Sequence, residues 1–89
     1  MFRIWGKIFK DNRMLNDYVF ECDDYELSRT KRVYMGLEDI CNQFDLSVPA
    51  WLDVNKKEFI RVDKTRFTSD NFIDSIDFDY LEIHVIEED

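Results

Sequence analysis

Residues 28 to 44 read Ser28-Arg29-Thr30-Lys31-Arg32-Val33-Tyr34-Met35-Gly36-Leu37-Glu38-Asp39-Ile40-Cys41-Asn42-Gln43-Phe44, and their apolar members decide the fold. Val33, Leu37, Ile40, Cys41 and Phe44 fall at i, i+4, i+7, i+8 and i+11, the spacing of one face of a helix. Arg29, Lys31, Arg32, Glu38, Asp39 and Gln43 fall largely off that face and are expected in solvent. Asp45 and Ser47 with Pro49 end the helix, because a proline disfavours helical geometry in the residue before it. A single stripe of this kind must be buried against something, so the flanking segments have to supply a second layer.

Working towards the N-terminus, residues 2 to 10 alternate as a strand, with Phe2, Ile4, Gly6 and Ile8 on one side and Arg3, Trp5, Lys7 and Phe9 on the other. Met14 to Cys22 is a second strand, and the short polar stretch Asp11-Asn12-Arg13 between them implies an antiparallel hairpin. Asp23-Asp24 breaks it. Towards the C-terminus, Pro49 is expected to open a short second helix anchored by Trp51, Leu52 and Phe59. Lys64-Thr65-Arg66-Phe67 reads as a loop, and Thr68 or Ser69 as the cap of one helical turn through Asn71 and Phe72. Period two returns from Asp79 to Ile86, with Leu81, Ile83 and Val85 facing one way and Tyr80, Glu82, His84 and Ile86 the other.

The expected architecture is therefore α+β, in the order strand, strand, helix, short helix, strand. An antiparallel sheet of about three strands, made from the N-terminal hairpin and the C-terminal strand, carries the long helix across one face and leaves no enclosed reactive pocket. Residues 1–89 form one domain, since a chain of 89 residues leaves no room for a second core. An apolar share of 45%, with eight Phe, is enough to build one. Gly and Pro number only two and one, which favours regular elements joined by short turns.

Charge is segregated. Residues 1 to 69 hold all 12 Lys and Arg and 12 of the 20 Asp and Glu, so the net charge of −8 resides in residues 70 to 89. That segment carries Asp70, Asp74, Asp77, Asp79, Glu82, Glu87, Glu88 and Asp89, and it repels nucleic acid and anionic membranes. It serves solubility, or a basic partner. Lys56, Lys57, Arg61, Lys64 and Arg66 form a basic stretch with which it can pair internally. The longest apolar runs are three or four residues, far short of a membrane span, and the first residues lack the apolar centre of a secretion signal. A cytoplasmic location is expected, with Cys22 and Cys41 as free, mostly buried thiols.

The same residues bound the chemistry. His84 is the sole histidine, so a Cys-His nucleophile pair has to combine it with Cys22, since Cys41 lies on the helix stripe where burial makes a thiol inert. Zinc needs closely spaced Cys and His, which positions 22, 41 and 84 do not provide. Asp77 and Asp79 share a face if extended and offer oxygen ligands for Mg²⁺ or Ca²⁺, but without the glycine turn and final glutamate of an EF-hand. No cofactor is implied. The more informative set is Arg3, Trp5, Lys7 and Phe9, a basic-aromatic strand face, together with Trp51 as a second aromatic anchor. Two functions are expected in that order. The first is a non-enzymatic protein-interaction module, binding a protein partner or forming a homo-oligomer through an exposed edge strand. The second is single-stranded nucleic-acid binding, with bases stacked on the strand face. A cysteine-dependent enzyme is the third.

Arg3-Ile4-Trp5-Gly6-Lys7-Ile8-Phe9 and Asp77-Phe78-Asp79-Tyr80-Leu81-Glu82 resemble stretches of small bacterial proteins of unassigned function. The resemblance implies a free-standing cytoplasmic bacterial protein and carries over no functional residue.

Overall fold

In the computed structural model, which describes residues 1–88, β1 (Phe2–Lys10) and β2 (Arg13–Cys22) form the expected hairpin. It is closed by Asp11 and Asn12, both left-handed at φ 54° and 64°. Two consecutive left-handed residues twist a turn to match the flanking strands, and Asp and Asn are the side chains that tolerate that geometry. The connection is thus tighter than Asp11-Asn12-Arg13, and Arg13 already pairs with Lys10.

Helix α1 (Arg29–Gln43) sits where the apolar stripe requires. The Ser28 hydroxyl caps it by accepting from the Lys31 N–H at 3.1 Å. At the other end Asp45 turns left-handed at φ 58°, the Leu46 N–H donates to the Cys41 carbonyl at 2.8 Å, and the Asp45 N–H donates to that of Asn42 at 3.2 Å. That pair of bonds is a Schellman stop, with aspartate in the place glycine usually takes.

Helix α2 (Asp53–Val62) begins later than Pro49. The reason lies at Ala50, whose N–H and carbonyl are taken by the backbone carbonyl and side-chain amide of Asn71, each at 2.8 Å, and so cannot enter a helix. Asn55 then accepts from the Leu52 N–H at 3.1 Å, which is half of a capping box.

The expected three-strand sheet is corrected to four strands. Lys64–Phe67, expected as a loop, is β3, and it pairs antiparallel with β4 (Tyr80–Glu87) from Lys64 opposite His84 to Phe67 opposite Leu81. Asp63 makes this possible by ending α2 in the left-handed region at φ 58°, so that the chain reverses directly into the strand. The order along the sheet is β2-β1-β4-β3 and the order along the chain is ββααββ. Residues 68 to 72 form a turn and not a turn of helix, with the Asn71 N–H on the Thr68 carbonyl at 2.9 Å.

Both helices lie on one face of the sheet. Phe2, Ile4 and Ile8 of β1, Phe20 of β2, Phe67 of β3 and Leu81, Ile83 and Val85 of β4 are buried with Val33, Leu37, Ile40 and Cys41 of α1 and Phe59 of α2. Burial pushes the Cys41 thiol up to about 12, which keeps it protonated and unreactive. No helix among the described residues is long and apolar enough to cross a membrane.

Candidate interaction surfaces

The structure divides the anticipated surface. Arg3, Trp5, Lys7 and Phe9 lie together on the open face of the sheet, whereas Trp51 is on the opposite, helical side, with its ring edge-on to Tyr34, Phe59 and Phe67.

On the open face, cross-strand register decides the electrostatics. Arg3 stands opposite Glu21 on one side and Glu87 on the other, and its Nε is 2.9 and 3.2 Å from their carboxylates. Lys7 stands opposite Glu82 and reaches it at 3.0 Å, while Arg66 from β3 reaches the second oxygen of the same carboxylate at 3.1 Å. The Lys7 ammonium also lies 4.1 Å from the centre of the Trp5 ring, and the Trp5 Nε1–H donates to Asp17 at 2.8 Å. Phe9 stacks on Tyr80 at 5.2 Å, and Arg66 covers Tyr80 at 4.5 Å. These side chains lie flat over one another, leaving the Lys7 and Glu82 side chains 13% and 9% exposed. The cations that were to track phosphates are spent on this protein's own acids.

Glu82 and His84 make this face sensitive to acid. Burial pushes the Glu82 carboxyl up, but hydrogen bonds and charge from Lys7 and Arg66 outweigh it and hold the group below its ordinary 4.5. Burial, then the positive charges of Lys7 and Lys64, hold His84 below its ordinary 6.5 against weaker opposition from Glu82 and Asp63. Both groups bind a proton less readily folded than unfolded. The stability they contribute is therefore complete above those ordinary values and is lost as the pH falls, for His84 from 6.5 downwards and for Glu82 from 4.5 downwards. We expect the urea midpoint to decline in two stages between about pH 7 and about pH 3. His84→Gln should remove the upper stage and spare the lower one, because no other histidine is present. A midpoint that stays level until the carboxylates titrate would contradict the assignment to His84.

The long edge of the sheet is β2. Met14, Leu15 and Val19 are exposed along it, but it is blunted in two ways. The pairing with β1 slips between Ile8 and Phe9, so that Leu15 bulges out of register, and the Asp17 N–H is closed off by the Asn16 side chain at 2.9 Å. A bulge and a capped donor are devices that keep edges from pairing. The expectation of self-pairing through an edge strand gains nothing here.

The helical side offers a hollow of about 240 Å³ between α1 and α2, lined by Arg29, Thr30, Val33 and Tyr34 of α1, by Lys56, Phe59 and Ile60 of α2, and by Trp51. Tyr34 is about half exposed and Ile60 83% exposed. Arg29 is held by Asp63 at 2.8 Å and Glu88 at 2.6 Å, whereas Lys56 makes no ion pair among the described residues.

Cys22 sits opposite Phe2 and packs against the core, while His84 stands on the open face opposite Trp5, so the two do not form a nucleophile pair. Cys22 is half-buried, less so than Cys41. The Asp79 carboxylate accepts from the Asp11 N–H at 2.9 Å, and no group of three or more potential metal ligands gathers among the described residues. Among the described residues of the acidic C-terminal segment, Glu82, Glu87 and Glu88 are paired, chiefly with Arg3, Lys7 and Arg29, and only Arg66 of the basic stretch takes part.

No protein-family model matches the chain, nor does any curated protein or solved structure.

Proposed function

We propose that the chain is a non-enzymatic protein-interaction module whose contact surface is the hollow between α1 and α2. The observation that carries this reading is an apolar depression floored by Trp51 and flanked by the uncovered side chains of Tyr34 and Ile60. Its 240 Å³ falls below the roughly 300–1,000 Å³ of small-molecule sites, so it suits one or two anchoring side chains better than a metabolite. Tryptophan and tyrosine are the residues that dominate such contacts. Binding of single-stranded nucleic acid by Arg3, Trp5, Lys7 and Phe9 is less favoured, since phosphates would first have to displace Glu21, Glu82 and Glu87. A cytoplasmic setting belongs to the same proposal and is supported by the two cysteines remaining thiols.

A photo-reactive residue substituted at Ile60 should capture a protein adduct in cells producing the chain, and the same residue at Met14 on the open face should not. The reading fails if position 60 gives no adduct, or if both positions react alike.

A further inference from the structure

Residues 68–79 carry the most exposed large apolar side chain of the described residues. Ile73 is 98% exposed at the tip of this connection, with Asp70 and Asp74 near it in the chain and also exposed. An isolated surface isoleucine needs no explanation. This one differs because its base is rigid: the Asn71 side chain bonds to the Ala50 carbonyl at 2.8 Å and to the Asn55 amide oxygen at 2.7 Å, and Phe72 beside it is buried edge-on to Phe78. The tip is thus carried on an anchored base, which lowers the ordering entropy to be lost on contact.

We infer that the hollow between α1 and α2 receives Ile73 from a second copy of this chain, with Asp70 and Asp74 of the incoming turn set against Lys56. The inference rests on the reading of that hollow as an interaction surface and names its partner. Three features fit together. The hollow is largely apolar and large enough to admit a branched side chain, and Ile73 is a branched side chain that its own chain leaves bare. The hollow carries an unpaired cation in Lys56, and the turn carries two carboxylates, neither of which is in an ion pair among the described residues. The tip does not occupy the hollow of its own molecule, so the contact has to be made between molecules. Because tip and hollow are different patches, the contact closes into a two-fold dimer if they face one another and otherwise runs head to tail.

Sedimentation of the intact protein tests this, with Ile73→Asp and Ile60→Asp as variants. Both positions are so exposed that folding should survive, which circular dichroism checks. The wild-type chain should associate into multiples of its 10.9 kDa mass as concentration rises, and each variant should weaken association about tenfold or more. The decisive sample is the mixture. Ile73→Asp keeps its hollow and Ile60→Asp keeps its tip, so together they should form a one-to-one complex that neither forms alone. Exchange of charges in Lys56→Glu with Asp74→Lys should likewise restore what Lys56→Glu loses. A wild-type chain that stays monomeric at every concentration, or a mixture no more associated than its components, overturns the inference. If position 60 nevertheless cross-links to a different protein, the interaction reading stands without self-recognition. If it cross-links to nothing, both fall.

Discussion

Replacing Asn55 by alanine should cost about 3–5 kcal/mol of stability, a large part of the roughly 4–13 kcal/mol expected for a domain of this length. Asn55 is 2% exposed and uses its whole hydrogen-bonding capacity. Its Nδ2 donates to the Thr65 hydroxyl and to the Arg66 carbonyl, both at 2.9 Å, and its oxygen accepts from the Leu52 N–H and from the Asn71 amide. Alanine would leave those four groups short of a partner, and each buried polar group left so costs about 1–3 kcal/mol. Water can reach the exposed ends at Leu52 and Arg66, which is why the sum is not the full four-fold penalty. The network also ties α2, β3 and the turn of residues 68 to 72 to one another, so its loss should loosen the floor of the hollow and the base of Ile73 together. Urea unfolding of Asn55→Ala, Asn71→Ala and the double variant measures this. The double should cost clearly less than the two singles combined, because each removes the partner of the other. A loss below about 1 kcal/mol for Asn55→Ala would mean that water satisfies the site and that the network is not structural.

None of that network could be read from the chain, for a physical reason. A stripe of apolar residues announces burial by its spacing alone, so β1 and α1 were legible from Phe2, Ile4, Val33, Leu37 and Ile40. A buried asparagine announces nothing until its partners arrive from elsewhere, and those of Asn55 lie 3 to 16 residues away in three different segments. The same network explains why α2 starts at Asp53, since Asn71 holds Ala50 outside the helix. β3 was hidden because it is four residues long and half of them are cations. Its inward residues, Thr65 and Phe67, show period two, but over too short a run to stand out from a loop. Of the candidate surface, Trp51 was recognisable as an anchor, whereas Ile73 was not. An isoleucine is expected inside, and only the packed turn shows that it points out. The basic-aromatic face was legible as a pattern. Its neutralisation depends on the register that sets Glu82 between Lys7 and Arg66.

Gly6→Val should destabilise the protein by about 3 kcal/mol, and Ile40→Ala should remove most of that penalty. The core face of β1 passes beneath α1 at Gly6, where an added Cβ would stand 2.5 Å from the Ile40 Cγ2 and 3.1 to 3.2 Å from its Cδ1 and Cγ1. Cγ2 is bonded to Cβ and moves only if χ1 rotates, which a β-branched residue in a helix resists. The counterpart on the helix is Gly36, where a Cβ would meet the Ile4 Cδ1 at 2.6 Å and the Phe20 ring at 2.8 Å. One glycine from each layer therefore lets the helix settle closer to the sheet than side chains would allow, with Ile40 filling the space over Gly6 and Ile4 the space under Gly36. Replacing a strand glycine by a β-branched residue ordinarily stabilises, by about 1 kcal/mol or less, so a loss of stability here isolates the clash. Ile40→Ala alone should cost about 2–5 kcal/mol for the cavity it leaves. In that background the valine at position 6 grows into the vacated volume, and the pair should be about 2 kcal/mol more stable than the summed single costs. Strict additivity in urea unfolding would mean that α1 does not rest on Gly6.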